Sequence, residues 1–225
     1  KAGFINTIFG NPQGQQFKVT TPVEVVHLPY RNKSKKELPL VLKHDFNFLS
    51  VCQWGARKNL DQTLLGFLQE FKNEEVGLVL KINTVNDSII DRTITEKRLQ
   101  NLLSSFPDRK CSVTLLHGHL SEEEIEYLYT HPKIKAIVSS THGEGFGLPI
   151  FEAANEELPV IATNWSGHLD FLTIPSKGEE NKPLFAKVDY QLNAIQEQFV
   201  WAGVMEKGSG WAYPSLSHLK QRMRE

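Results

Sequence analysis

Between residues 46 and 163, short apolar runs alternate with segments of helical periodicity. Five of these runs are long enough for strands and are predicted as such: 46–52, 76–83, 111–118, 134–140 and 158–163. Strands without a polar face must be covered on both sides, so the alternation predicts a parallel sheet with helices on each face. The predicted fold class is therefore α/β, an open doubly wound parallel sheet. Ligands of such sheets are expected outside the carboxyl ends of the strands.

The segments between the strands carry the signals of amphipathic helices. One apolar stripe in segment 59–73 is formed by Leu60, Leu64, Phe67, Leu68 and Phe71. The other predicted helices are 94–106, 121–131, 148–157 and a terminal helix capped by Ser215. Ser121 and Glu124 occupy the positions of a capping box, which predicts a helix start there.

The chain outside this alternation is divided into three parts by its composition. Residues 1–30 contain one strand-like run, 23–30, and are predicted as the tail end of a preceding domain. Residues 31–45 are polar, basic and proline-bounded, which indicates a linker, with a solvated face favoured over a patch for an acidic partner or a membrane. Residues 46–225 form the main domain, in which periodicity fades after 175 and a short strand is predicted within 184–191.

Charge and cysteine usage restrict the classes of function. The chain has 25 basic and 26 acidic residues, so global charge argues against nucleic acid as a partner. Its apolar runs are far shorter than the about 20 residues that span a bilayer, so no transmembrane segment is predicted. Cys52 and Cys111 lie in or beside apolar runs, which favours free thiols over a disulfide. A reducing, cytoplasmic location is therefore expected, with a peripheral position at a membrane left open.

A glycine-rich segment, "SSTHGEGFGL", joins a predicted strand to a predicted helix. Its glycines at 143, 145 and 147 allow the backbone to approach a ligand closely. Pro149 suits the first turn of the following helix, whose free N–H groups and dipole favour an anion such as phosphate. The segment is neither a P-loop nor the G-x-G-x-x-G dinucleotide fingerprint. For His142, which precedes the loop, a structural role is favoured over phosphate contact.

Two acidic residues, eight positions apart, make the ligand prediction for this loop more specific. Glu144 lies in the loop, and Glu152 lies about one turn into the helix and is expected to point toward the same mouth. A carboxylate accepts hydrogen bonds from paired hydroxyls, as a sugar offers them. One acid could bind a ribose and the other a hexose, with phosphates over the helix N-terminus between them. A nucleotide-sugar has these three parts.

The stretch "EGFGLPIFEA" resembles the E-x7-E signature of retaining GT-B glycosyltransferases, especially family 4. The stretches "LPVIATNWSGHLDFL", "HGHLSEEEIEYLY", "SVCQWGARKNLDQTLLGF" and "VEVVHLPYRN" are similar to further segments of that family, in register over about residues 20–172. The resemblance implies a Rossmann-like donor domain, the C-terminal half of the GT-B fold, with a remnant of the N-terminal acceptor domain. Most of that acceptor domain is expected to be missing from this chain.

The implied activity is retaining transfer of a sugar from a nucleoside diphosphate sugar to a glycan, a polysaccharide or another acceptor. By family role, Glu144 binds the hydroxyls of the donor sugar, Lys58 neutralises the diphosphate and Glu152 binds the ribose. The phosphate or sugar oxygens are held by backbone N–H groups of Gly145, Phe146, Gly147 and Leu148. His119 lies in the segment that borders the nucleobase. No metal and no other cofactor is expected, because basic side chains and the helix N-terminus stabilise the departing charge.

The sequence departs from the family pattern at several positions. An arginine is usual five residues before the lysine, but Gln53 stands there and carries no charge; Arg57 is the alternative cation. Asp170 and His168 replace the glutamate and second glycine of a later motif. These departures leave open a non-catalytic nucleotide-sugar-binding or assembly module, or a GT-B-fold nucleotide-sugar epimerase.

Overall fold

The computed structural model gives the protein as two compact units, Lys1–Lys33 and Ser34–Glu225. Residues 26, 28–31, 33–176, 178 and 181–225 are described in full, and residues 3–4, 8–10, 16–18 and 22–23 by their backbone. In the first unit, β1 (Gly3–Phe4) pairs antiparallel with β4 (Pro22–Val23), and β2 (Ile8–Gly10) with β3 (Gln16–Lys18). The predicted strand 23–30 is wrong at residues 26 and 28–30, which are not in a strand; 24, 25 and 27 lie outside the described residues.

The second unit contains a six-stranded parallel sheet in the order β12-β9-β8-β5-β6-β7. The strands of this unit are β5 (Asn47–Gln53), β6 (Gly77–Asn83), β7 (Ser112–Leu116), β8 (Ile134–Ser139), β9 (Val160–Thr163), β10 (Thr173–Ile174), β11 (Lys182–Pro183), β12 (Ala186–Val188), β13 (Tyr190–Ala194) and β14 (Gly210–Pro214). The helices are α1 (Leu60–Phe71), α2 (Ile89–Leu103), α3 (Glu122–Thr130), α4 (Leu148–Asn155), α5 (Leu169–Leu172) and α6 (Leu216–Arg224).

This topology confirms the predicted doubly wound sheet. Strand order proceeds from β5 through β6 to β7 on one side and through β8 and β9 to β12 on the other. The direction reverses between β5 and β8, and a crevice for ligands forms at such a switch point, outside the carboxyl ends of the strands. All five predicted strands are present, and the short strand predicted within 184–191 joins the sheet as β12.

The core has two layers, one on each face of the sheet. Neighbouring residues of one strand point to opposite faces of the sheet. Phe48 is buried in the layer that contains α1, and Leu49 is buried in the layer that contains α3 and α4. The five apolar residues of the predicted α1 stripe are all buried. Strands β5 to β9 therefore have apolar partners on both faces, which explains why these strands carry no polar side.

The observed helix starts agree with the capping signals of the sequence, but one start differs from the prediction. The capping box at Ser121 and Glu124 is present, and Ser215 caps α6. Helix α2 begins at Ile89, five residues before the predicted start at 94, because the Ser88 hydroxyl accepts a hydrogen bond from the Asp91 N–H. Its first residues expose Ile89 and Ile90 instead of burying them, so hydrophobic periodicity did not mark this turn.

The segment that precedes β5 belongs to the second unit from residue 34 onward. It has no helix or strand, but Leu42 is buried in the same layer as α3 and α4. Two of its lysines form surface ion pairs of 2.7 Å, Lys35 with Glu156 and Lys36 with Glu124. The assignment of residues 1–30 to an acceptor domain, of 31–45 to a linker and of 46–225 to a donor domain stays a prediction.

Two further expectations concern the whole chain. Cys52 and Cys111 are free thiols, as predicted. Among the described residues, no helix has the length and apolar character needed to cross a membrane. The cellular location and the metal-free reaction stay predictions.

Candidate functional site

The glycine loop follows β8 and leads into α4, at the carboxyl edge of the sheet beside the switch point. Gly147 precedes the helix with φ +89°, a backbone conformation that favours glycine. Pro149 lies in the first turn of α4, as predicted. Pro149 has no N–H and the Ile150 N–H donates to the Gly147 carbonyl at 2.9 Å, so the Leu148 N–H and the dipole of this eight-residue helix are what favour a negative group there.

The loop is held by the turn between β9 and α5. The Glu144 N–H donates to the Ser166 hydroxyl at 2.7 Å, and the Gly167 N–H donates to the Glu144 carbonyl at 3.1 Å. A Cβ on Gly167 would lie 2.0 Å from the carbonyl oxygen of Gly145. Glycine is therefore required at 167 by the close approach of two backbones. Sequence reasoning did not single out Ser166 and Gly167, although both lie in the "NWSGHLDFL" stretch of the family resemblance.

Glu144 is the centre of a charged cluster. The Lys58 Nζ lies 2.7 Å from both of its carboxylate oxygens, and an Arg57 Nη lies 3.1 Å from one of them. The side chain of Glu144 is only 7% exposed. Burial would raise the pKa of Glu144, but the hydrogen bonds and positive charges of Lys58 and then Arg57 outweigh burial and leave the pKa below its usual range. Glu144 is therefore an anion and a pure acceptor at neutral pH.

A short 3₁₀ turn, Ala56–Lys58, presents the two cations. The turn ends at Asn59, which has a left-handed backbone and donates its side-chain amide to the Ser140 carbonyl at 3.1 Å. The Arg57 carbonyl accepts the His142 N–H at 2.8 Å, and an Arg57 Nη donates to the Gly143 carbonyl. The loop after β5 and the glycine loop are thus tied together at the backbone, which holds Lys58 against Glu144.

Arg57, the alternative cation, and Gln53, which stands where the family has an arginine, make different contacts in the structure. Arg57 turns to Glu144, as described above. Gln53, at the end of β5, is exposed and donates its side-chain amide to the Thr84 carbonyl at 3.0 Å, toward the loop after β6. The sequence left the direction of Arg57 open, and the tertiary structure places it in the cluster.

Glu152 contacts helix α3. The Tyr129 hydroxyl of α3 donates to one Glu152 oxygen at 3.1 Å. A small cavity of about 20 Å³ lies beside Glu144 and Lys58, lined also by Ser139 and Pro149, and Glu152 is not among its lining residues. The structure therefore does not bring the two acids to this cavity. Its volume suffices for about one water molecule and is too small for a sugar.

The other residues of the loop differ in their surroundings. The Phe146 ring packs against Phe151 and Phe171, with ring centroids 5.2 Å and 5.1 Å apart. Leu148 is exposed at the helix start. Gly145 has open space where a side chain would stand. The stretch therefore exposes backbone at Gly145 and a side chain at Leu148.

A second cavity of about 290 Å³ lies at the carboxyl ends of β5, β6 and β7. His119 lines it, together with Lys81 and Asp87, and Cys52 lines both this cavity and the one beside Glu144. The Lys81 Nζ donates to the Gly118 carbonyl at 2.6 Å, and burial lowers the pKa of Lys81. Burial raises the pKa of the Cys52 thiol to about 12, so it stays protonated at neutral pH. Lys81 was not identified by sequence reasoning.

A family model described as "Glycosyl transferases group 1" matches residues 48–178, which include the glycine loop and its charged cluster. The chain belongs to this family. This match confirms the glycosyltransferase family that the sequence resemblance indicated. The match extends from β5 through α5, the segment that carries Lys58, Glu144 and Glu152.

Relatives of this group 1 glycosyltransferase chain include the serotype-specific mannosyltransferase WbdA of Escherichia coli, which is 30% identical over 118 residues. That match covers 51% of this chain and 13% of WbdA. Similar solved structures include the C-terminal domain of the group 1 glycosyl transferase LpcC of Francisella tularensis, with a TM-score of 0.41, 18% identity and coverage of 54% of this chain and 60% of that one. Sucrose-phosphate synthase of Thermosynechococcus elongatus has a TM-score of 0.49 and 18% identity, with coverage of 82% and 36%.

Proposed function

We propose that this chain is the donor-binding part of a retaining glycosyltransferase that takes a sugar from a nucleoside diphosphate sugar. The observation that carries the proposal is the buried carboxylate of Glu144 between Lys58 and Arg57, beside the N-terminus of α4. Glycosyl transfer belongs to the family, and the retaining mechanism, the donor and the acceptor are the proposal.

The charges of the cluster suit both halves of such a donor. Sugar hydroxyls donate to Glu144, which stays ionised because Lys58 and Arg57 hold its pKa low. The diphosphate offers oxygens to the ammonium of Lys58 and to the backbone N–H groups from Gly145 to Leu148. As the sugar leaves, charge develops on the diphosphate, and cations fixed in place stabilise that charge without reorganising. The proposal needs no metal for this step.

Other parts of the donor are assigned to the neighbouring groups. The cavity lined by His119, Lys81 and Asp87 has the volume for a nucleobase. Glu152 would bind the ribose after exchanging its contact with Tyr129, 3.1 Å away, for the ribose hydroxyls. The identity with a mannosyltransferase supports mannose as the first donor sugar to test. A glycan acceptor, a preceding acceptor domain and a cytoplasmic or peripheral membrane location complete the proposal.

Nucleotide binding tests the proposal most directly. Calorimetric titration of the chain with UDP, GDP and ADP is expected to show binding of at least one of them and weaker binding in Lys58→Ala. Lys36→Ala is the matched control, since Lys36 also forms a 2.7 Å ion pair with a glutamate but lies on the surface away from the loop. Absence of binding with all three nucleotides contradicts the proposal.

A second candidate is a binding module of the same fold without turnover. It is favoured by Gln53, which carries no charge where the family has a cation and whose amide is engaged by Thr84. Release of nucleotide from a donor sugar by the intact protein distinguishes the two. Turnover excludes the module, whereas tight nucleotide binding without turnover supports it.

A further inference from the structure

A third cavity, of about 420 Å³, borders the turn that carries Arg57 and Lys58. Ala56 of that turn and the adjacent Asn59 line it, and Glu144 is not among its lining residues. We call it the aromatic cavity, because Phe199 and Tyr213 form part of its wall. Its volume lies within the range of about 300–1,000 Å³ typical of small-molecule sites. None of the roles assigned above uses it.

The rings of this wall are fixed by stacking. Phe199 stacks on Trp211 with centroids 5.6 Å apart and an angle of 27°, and Trp211 stacks on His142 at 4.9 Å and 13°. The Tyr213 hydroxyl donates to the Ala194 carbonyl at 3.2 Å. Phe199 therefore has one face supported by Trp211 before any ligand arrives, which lowers the entropic cost of binding.

His142 contributes to the same wall a ring nitrogen that can accept a hydrogen bond. It is only 8% exposed, and its Nδ1 lies 2.7 Å from the Ala212 carbonyl. A carbonyl accepts only, so Nδ1 carries the hydrogen and Nε2 of the neutral ring is left with a lone pair. Burial lowers the pKa of His142, which keeps the ring neutral. Nε2 makes no hydrogen bond with any described residue, so its lone pair is available to a ligand.

Planar polar groups of both signs complete the lining. Arg98 donates to Asp61 at 2.5 Å, and its guanidinium lies 4.2 Å over the ring of Trp54. Asp61 uses this same oxygen, Oδ2, to accept from the Trp54 indole at 3.3 Å. The exposed Gln196 adds an amide that both donates and accepts. The charges of Asp61 and Arg98 cancel, so the lining favours a neutral ligand.

These features together select a class of ligand. A pyranose has an apolar C–H face that packs on an aromatic ring and hydroxyls that both donate and accept. A phosphate would meet the carboxylate of Asp61 and the neutral ring of His142, and an aliphatic ligand would leave the polar groups of the lining without partners. We propose that the aromatic cavity binds a hexose unit of a glycan, at a site separate from that of the donor.

Saturation-transfer NMR on the chain with methyl α-mannopyranoside and an α-linked mannobiose tests this proposal. Transfer to the sugar is expected, and it is expected to persist with saturating UDP or GDP present and in Glu144→Gln. Displacement by nucleotide, or loss in Glu144→Gln, would place the sugar in the donor site and overturn the proposal. Absence of transfer with these sugars and with the corresponding glucosides and galactosides overturns it too.

Two variants connect the signal to the cavity. Phe199→Ala removes the supported ring and is expected to weaken binding about tenfold. Trp201→Ala is the control, since Trp201 is an aromatic residue of the same loop, is 64% exposed and is not part of the lining. Gln196→Ala, at an exposed position, is expected to weaken sugar binding about threefold. If Phe199→Ala does not fold, Gln196→Ala tests whether the sugar binds in the aromatic cavity. Equal affinity in all variants contradicts the proposal, and nucleotide titration of the same samples reports separately on the proposed function.

Discussion

The Nζ of Lys58 lies 2.7 Å from both carboxylate oxygens of Glu144, although 86 residues separate the two in the chain. The carboxylate assigned to sugar hydroxyls and the cation assigned to diphosphate therefore neutralise each other before a ligand arrives. A diphosphate must share Lys58 with Glu144 or take it over. This competition links the binding of the two halves of the donor.

Lys58→Ala is expected to weaken binding of a nucleoside diphosphate by about ten- to a hundredfold. The loss follows from one charged hydrogen bond, which contributes about 1.5–3 kcal/mol. Calorimetry on the nucleotide that binds best measures the effect. Lys58→Arg, which keeps the charge, is expected to recover part of the affinity; equal affinity of Lys58→Ala and the unmodified chain contradicts the role of Lys58.

Glu144→Gln separates sugar binding from phosphate binding. The amide keeps the shape but cannot hold Lys58 as an ion pair, so Lys58 becomes freer for phosphate. We expect nucleoside diphosphate affinity to stay equal or rise, while kcat/KM with the donor sugar falls at least a hundredfold in the intact protein. Glu75→Gln, at an exposed position after α1, is the control. A fall in both quantities alike would mean that Glu144 only supports the fold.

The low pKa of Glu144 has a consequence for acid stability. Since the folded pKa lies below the unfolded value, the ion pair stabilises the fold fully above the ordinary glutamate range, about pH 4.3. That stabilisation is lost as the pH falls from there through the folded pKa. Urea unfolding at a series of pH values is expected to show a shallower acid loss in Glu144→Gln. An identical slope in both proteins would contradict a depressed pKa.

Gly167→Ala tests the contact between the two loops. Its Cβ would lie 2.0 Å from the Gly145 carbonyl, so one backbone has to move. We expect a loss of about 1–3 kcal/mol in the free energy of unfolding, together with weaker nucleotide binding because the glycine loop is displaced. Gly55→Ala is the matched control, since a Cβ there meets nothing within 4 Å. Thermal unfolding and calorimetry measure both effects, and a Gly167→Ala protein equal to the control in each contradicts the close approach.

Much of the fold followed from local patterns. The apolar runs became β5 to β9, and the capping signals at Ser121 and Ser215 marked real helix starts. The start of α2 was missed because Ile89 and Ile90 are exposed. Hydrophobic periodicity predicts only helical turns that bury an apolar face, and this turn buries none. The sequence also placed the glycine loop correctly between β8 and α4.

The candidate site was anticipated in its members but not in its contacts. Glu144 and Lys58 were both named from the sequence, and the structure brings them together. The sequence did not resolve whether Arg57 replaces the arginine expected at the position of Gln53, and it expected Glu152 at the same mouth. Glu152 meets Tyr129 of α3 instead, a contact set by how α3 packs against α4.

Sequence alone determined the layered α/β architecture, the glycine loop at a strand-to-helix junction and the family resemblance. These depend on residues close together in the chain, where strand period, helix period and capping act locally. Tertiary structure decided that Arg57 reaches Glu144, that Gly167 holds the backbone at Gly145, and that His142, Phe199 and Asp61 share one cavity. The physical reason is that the direction of a side chain depends on which distant segments pack around it, and packing is a property of the whole folded chain.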